Sequence, residues 1–304
     1  MDTKRLLLIV NPFSGKAKMA SDLLAVTQIL SDKGFEVTVY PTKKSGDATL
    51  RAEKITEGEY ERIVVCGGDG TLNEVITGLM RSGVKCKVGY IPAGTLNEWS
   101  QGLHIPRSIR EAANVAAGDD EIFLDIGKFA DRYFSYTASF GAFTEASYST
   151  PQEVKNVLGQ AAYFFEGIKS LGNIKPVHLK FETAEKTLEG DYIFGAISNS
   201  MSVGGIVKFK ESVVKLNDGL FEVMLIKNPK NLLQLQNVLD GILRGDLNRE
   251  NIEFFHTDKI TVQGGRAVSW TLDGEFAPGK EELTIENIKS ALWLVSPYNK
   301  ESEK

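Results

Sequence analysis

The sequence predicts two domains of different class: an N-terminal α/β domain, built as a mainly parallel sheet with helices on both faces, and a C-terminal β-rich, sandwich-like domain. Three observations carry this. Up to about residue 127, short apolar runs alternate with helical patterns, as βα units do. After about Lys128 the chain changes to many short runs rich in aromatic and β-branched residues. Three glycine-bearing loops follow strands of the first part, where an open α/β sheet collects ligands. The boundary is expected near residues 126–132, giving domains 1–128 and 129–304, with the last ~10–15 residues able to return to the first.

A chain of 304 residues with 42% apolar side chains is long and apolar enough for two cores. In the first domain the strands are expected at Arg5–Val10, Glu36–Tyr40, Arg62–Cys66, Lys87–Ile91 and Ile122–Ile126. Helices are expected at Ala17–Lys33, Gly46–Thr56, Thr71–Ser82 and Arg107–Ala117; in the first, Met19, Leu23, Leu24, Ile29 and Leu30 recur at helical spacing. In the second domain the strands are expected at Tyr133–Phe140, Val177–Phe181, Asp191–Asn199, Phe221–Ile226, Lys259–Val262, Val268–Leu272 and Ala291–Val295. Helical patterns interrupt them at Glu153–Leu171 and Asn231–Leu243, the latter with a stripe of Leu232, Leu235, Val238, Leu239, Ile242 and Leu243 that suits packing on a sheet.

Several function classes are disfavoured. A net charge of −5 provides no global basic field for nucleic acid. Cys66 and Cys86 lack metal-ligand spacing and read as buried free thiols of a reducing compartment; His104, His178 and His256 are scattered. No run reaches the ~18 apolar residues of a spanning helix, and Leu6–Val10 is too short for the core of a secretory signal, so a cytoplasmic protein is expected.

The chemistry concentrates in the loops. Asn11-Pro12-Phe13-Ser14-Gly15-Lys16 offers Ser14 and Lys16 to an anion, ahead of a helix whose first N–H groups face the same way. Gly67-Gly68-Asp69-Gly70-Thr71 leads from a strand into a helix, with glycines allowing close backbone approach and Thr71 able to cap the helix. Asp69 would repel a phosphate unless a divalent cation lies between them, so it fits a magnesium–nucleotide site. A plain tight turn also suits Gly-Asp-Gly-Thr, but Pro92-Ala93-Gly94-Thr95-Leu96-Asn97 repeats the arrangement after another strand. Neither a Walker A loop nor a GxGxxG fingerprint is present.

These segments, together with Leu124-Asp125-Ile126-Gly127 and Asp273-Gly274-Glu275, occur in the order of the diacylglycerol kinase catalytic-domain family, and the chain resembles its soluble bacterial lipid kinases, relatives of sphingosine and ceramide kinases. The resemblance implies an NAD-kinase-like first domain, an ATP and Mg2+ requirement, and phosphoryl transfer to a lipid hydroxyl at a membrane surface touched only peripherally and transiently. It implies that Asn11, Ser14, Lys16, Gly67, Gly68, Gly70, Thr71, Glu74, Gly94 and Thr95 line the nucleotide site. Asp69, Glu98 and Asp125 would organise the catalytic Mg2+, Asp273 would be the general base and Glu275 its partner. A second, structural Mg2+ would take the Asp218 carboxylate and the Lys215 and Leu220 carbonyls, although Asn217-Asp218-Gly219 reads equally well as a turn.

The third motif departs from the family's Gly-Asn-Asp-Phe-Ala-Arg: here it reads Leu96-Asn97-Glu98-Trp99-Ser100-Gln101. Glu98 keeps the charge and adds a methylene, while Gln101 removes a cation. The acceptor is expected to be diacylglycerol or a related lipid, with a sphingoid or other long-chain alcohol as the alternative. A catalytically silent nucleotide- or lipid-binding protein and an NAD kinase are the remaining readings, the last opposed by Asn-Pro-Phe-Ser-Gly and Asp-Gly-Glu. A homodimer is left open. Asp273→Ala is expected to abolish lipid phosphorylation with the fold intact.

Overall fold

The computed structural model describes residues 4–14, 19–95, 97–141, 175–200, 202–203, 207–208 and 214–298; the helix expected at Glu153–Leu171 and residue Lys16 lie outside them. The chain divides into one unit of Met1–Asp125 with Ser290–Lys304, and a second of Ile126–Lys289.

The first unit alternates strands and helices: β1 (Lys4–Val10), α1 (Met19–Asp32), β2 (Phe35–Pro41), α2 (Asp47–Glu53), β3 (Arg62–Gly67), α3 (Asp69–Ser82), β4 (Lys87–Pro92), α4 (Glu98–Gly102), α5 (Ile109–Ala116) and the start of β5 (Glu121–Phe129). Its strands pair in parallel in the order β2-β1-β3-β4, and Leu294–Val295 near the chain's end add one more parallel strand beside β4. Leu6–Val10 and Ile63–Cys66 are buried throughout, as unbroken apolar runs of a covered parallel sheet should be, whereas the edge strand β2 is largely exposed. Arg62 is buried at the base of β3, donates to the carbonyls of Ala116 and Gly118 at 2.7 Å each, and so satisfies the end of α5.

Several helix boundaries differ from expectation, among them the start of α5 at Ile109 instead of Arg107, and α4 was not foreseen; two of the differences have a visible cause. α3 starts at Asp69, not Thr71, because Gly68 in extended conformation takes the cap position without a side-chain cap; Thr71 therefore lies inside the first turn. α2 ends at Glu53, not Thr56: the Ile55 N–H turns back to the Ala52 carbonyl, and Ile55 and Thr56 are β-branched.

The second unit contains the rest of β5, then β6 (Arg132–Phe134), β7 (Thr137–Gly141), β8 (Val177–Glu182), β9 (Thr187–Ser198), β10 (Ser202–Val203), β11 (Val207–Lys208), β12 (Phe221–Lys227), α6 (Leu232–Arg244), β13 (Ile252–Thr257), β14 (Lys259–Gln263), β15 (Ser269–Leu272), β16 (Glu275–Pro278) and the start of β17 (Glu282–Val295). Most of the expected strands fall within this set, but Tyr133–Phe140 is divided between β6 and β7, Ala291–Val295 is the end of β17 that belongs to the first unit, and β10, β11, β13 and β16 were not foreseen. All their recorded pairings within the unit are antiparallel, in the order β16-β15-β7-β9-β8-β14-β17, with β12 between β9 and β13. Phe140 packs on Trp270 and Phe181, and a Cβ at Gly195 would come within 2.1 Å of Phe140, so that strand position is closed to larger residues. α6 is capped by Asn231, whose Oδ1 accepts from the Gln234 N–H at 2.9 Å, and buries Val238 and Ile242 as its stripe predicts. Among the described residues no helix is long and apolar enough to cross a membrane.

Candidate active site

In the first unit the strand order reverses between β1 and β3, since β2 lies beyond β1 on one side and β4 beyond β3 on the other. The loops leaving such neighbours diverge and open a crevice at the strand carboxyl ends. Here it is closed by hydrogen bonds. The Asn11 N–H donates to the Cys66 carbonyl at 2.9 Å and Asn11 Nδ2 to Thr71 Oγ1 at 3.1 Å, tying the loop after β1 to the loop after β3. The Ala93 N–H donates to the Gly67 carbonyl at 2.7 Å, adding the loop after β4. At the junction two backbones meet without side chains: a Cβ on Gly94 would lie 2.7 Å from the Cα of Gly68. The expected convergence of the three loops is thus observed.

Asp69 opens α3 with its side chain half-buried, and its Oδ1 accepts from the Tyr90 hydroxyl at 3.1 Å. Asn97, in left-handed conformation, closes the third loop on itself: its Oδ1 accepts from the Gly94 N–H and its Nδ2 donates to the Gly94 carbonyl, both at 2.9 Å. Thr95 is exposed on this loop and the Ser14 N–H closes the first by donating to the Asn11 carbonyl. Leu96 and the Glu98 side chain lie outside the described residues.

Two residues expected at the site are held by backbone donors. Glu74 Oε1 accepts from the Gly46 N–H at 2.8 Å and the Ser45 hydroxyl at 3.2 Å, and its Oε2 from the Ala48 N–H at 3.2 Å, so this carboxylate satisfies the first turn of α2. Asp125 is fully buried and its Oδ1 accepts from the Ser290 N–H at 2.7 Å, where Ser290 adopts φ 51°. Cys66 and Cys86 are free and buried, and burial pushes both thiols up to about 12.

In the second unit Asp273-Gly274 form the two-residue turn of the β15–β16 hairpin, flanked by the pair Leu272–Glu275. Both have positive φ, 50° and 86°, which is why Asp-Gly occupies a turn of this kind. The Asp273 carboxylate receives three successive backbone N–H groups: Ser135 at 2.5 Å, Tyr136 at 3.0 Å and Thr137 at 3.0 Å. The strand expected over Tyr133–Phe140 accordingly breaks between β6 and β7, because those amides turn onto a side chain instead of a neighbouring strand. Glu275 is exposed and 3.9 Å from Arg132, which also donates to the Phe276 carbonyl at 2.8 Å. The carboxyl pair therefore has separate partners. Around Asp218, the Leu220 N–H donates to Oδ1 at 2.9 Å and Gly219 has φ 89°, which makes the segment a tight turn.

Among the described residues no group of three or more His, Cys, Asp or Glu is placed to hold a metal. Sequence reading missed Tyr90, Arg132 and the 135–137 amides. A hydroxyl within the otherwise apolar strand Val88–Ile91 is the one signal that could have pointed to Tyr90. The others depend on long-range pairing.

Residues 5–129 match the diacylglycerol kinase catalytic domain, and residues 138–295 match the YegS C-terminal NAD kinase beta sandwich-like domain. Diacylglycerol kinase of Staphylococcus haemolyticus is 32% identical over 298 residues, covering 97% of this chain and 89% of that protein. The Staphylococcus aureus (strain MRSA252) diacylglycerol kinase is 32% identical over 295 residues, covering 97% and 93%. A solved diacylglycerol kinase structure from Bacillus anthracis strain Sterne superposes with a TM-score of 0.75 at 21% identity, covering 97% of this chain and 98% of that one, and so shares the fold. On these matches, the chain belongs to the diacylglycerol kinase family of lipid kinases.

Proposed function

We propose that the protein transfers the γ-phosphoryl group of ATP to the hydroxyl of diacylglycerol, giving phosphatidate and ADP. The observation that carries this reading is the convergence of the loops at Asn11, Gly67–Thr71 and Gly94 at the strand carboxyl ends, with the Asp69 carboxylate among them. Bare backbone at Gly67, Gly68, Gly70 and Gly94 suits a polyphosphate, with Asn11 hydrogen-bonded to Thr71 beside it and Ser14 and Lys16 further along the first loop's sequence.

Phosphoryl transfer asks the protein chiefly for alignment and charge neutralisation. Mg2+, when bound, supplies the neutralisation. The donors fit it: Asp69 presents a half-buried carboxylate to the loop junction, and a cation held largely by phosphate and water oxygens needs no protein-only cage. Glu98 and Asp125 would support that centre, Asp125 through the buried backbone it orders. Asp273 would accept the lipid hydroxyl proton as the oxygen–phosphorus bond forms and the bond to ADP breaks. Three N–H donors fix its carboxylate in place for that task. A structural Mg2+ could use the Asp218 oxygen that the turn leaves over, with the Lys215 and Leu220 carbonyls. The contact with the bilayer would be peripheral.

The test is incubation with radiolabelled ATP and a mixed lipid extract, followed by identification of the labelled product. Labelled phosphatidate is expected. A labelled sphingoid phosphate would replace the acceptor, and no lipid label at all would end the kinase reading.

A further inference from the structure

Tyr90 is fully buried in β4, where a Phe would fill nearly the same space with no polar atom to satisfy. Its hydroxyl has two acceptors, Asp69 Oδ1 at 3.1 Å and Asn97 Oδ1 at 3.4 Å. The Asn97 amide cannot be turned round to donate instead, because its oxygen is fixed by the Gly94 N–H and its nitrogen by the Gly94 carbonyl. One phenolic proton therefore serves two oxygens.

We infer that Tyr90 is a positioning residue, whose hydroxyl holds the Asp69 carboxylate toward the loop junction and couples the loop after β3 to the loop after β4. The second acceptor gives the arrangement its use. If Asp69 turns to another partner, the phenol proton swings to Asn97 and no buried hydroxyl is left unsatisfied. This rests on the reading of Asp69 as the carboxylate that organises the cation–nucleotide pair.

The experiment is a double-mutant cycle on the full chain with Tyr90→Phe, Asp69→Asn and both together. Mn2+ binding in the presence of ATP is read by electron paramagnetic resonance, and turnover is read against Mg2+ concentration. Tyr90→Phe keeps the ring, and its binding of Mn2+ with ATP should weaken about tenfold, the size expected for one hydrogen bond to a charged group. kcat should fall by a similar factor with KM for the lipid unchanged. The double variant should bind no worse than Asp69→Asn alone. Unchanged Mn2+ binding in Tyr90→Phe, or strictly additive effects, would overturn the inference. Should Asp69→Asn itself bind Mn2+ with ATP as well as wild type, the underlying reading of Asp69 fails instead, and the two failures are distinguishable.

Discussion

The proposed function gives roles to two Asp-Gly pairs, and the fold holds them in opposite ways. Asp69-Gly70 opens a helix, with the carboxylate half-buried and bonded to a side-chain hydroxyl. Asp273-Gly274 make a hairpin turn with both φ values positive, and the carboxylate is gripped by three backbone N–H groups. The difference lies in who satisfies the charge. A carboxylate bonded to a side-chain hydroxyl can exchange partners, whereas one that organises three amides of another segment is part of the scaffold as well as a reagent. Asp69 suits a site whose ligand comes and goes. Asp273 suits a base that must not move.

This contrast breaks first on truncation. Asp273→Ala should eliminate lipid phosphorylation and also destabilise the protein by ~3 kcal/mol, because three N–H groups lose a charged acceptor and alanine is strained at positive φ. Asp69→Ala should eliminate activity at a smaller cost in stability, since this carboxylate does not gather three amides of another segment. Urea titration of both variants checks this, and equal destabilisation would remove the distinction. Asp273→Asn isolates the chemistry, since asparagine tolerates left-handed backbone and keeps one acceptor. Its turnover should fall ~10²–10⁴-fold, the usual contribution of a general base, with a melting temperature within a few degrees of wild type. Near-wild-type turnover would leave Asp273 a scaffold residue only.

The two glycines at the loop junction sharpen the same point at smaller amplitude. A Cβ on Gly94 would meet the Gly68 Cα at 2.7 Å, backbone that cannot rotate away, while a Cβ on Gly68 meets the Gly94 Cα at an ordinary 3.4 Å. Gly94→Ala should therefore cost ~1–3 kcal/mol and weaken ATP binding about tenfold or more. Gly68→Ala, at an extended φ of −87°, should leave stability within ~0.5 kcal/mol. If calorimetry shows that it still weakens ATP binding, the phosphates approach the bare backbone at Gly68, which is the role the sequence motif assigns to it.

The first unit was legible because its signals are local. Leu6–Val10 and Ile63–Cys66 are unbroken apolar runs, and their glycine loops follow at once, so strands and loops could both be read along the chain. What sequence could not supply was pairing at a distance. Tyr133–Phe140 reads as one strand by composition, and it breaks because of a carboxylate some 137 residues further on. Ile252–Thr257 was not foreseen, and its strand identity comes from β12 beside it. Asp-Gly-Glu at 273–275 looked like a pair sharing one environment, yet each carboxylate has its own partner, and Arg132 carried no local signal of that. The Thr71 cap failed for a simpler reason: Gly68 in extended conformation starts the helix without a side-chain cap.

Glu74 is the smallest and most discriminating test. The family motif places it at the nucleotide, whereas its oxygens accept from Ser45, Gly46 and Ala48 at the start of α2, the same backbone-gripping mode as Asp273. Removing a cap of this kind costs ~1 kcal/mol. Glu74→Ala should then lower the urea midpoint modestly and change ATP binding less than threefold, and Glu74→Gln, which keeps an acceptor, should recover most of the loss. A large loss of ATP binding at unchanged stability would instead show that the carboxylate serves the nucleotide, and that gripping backbone does not by itself mark a carboxylate as scaffold.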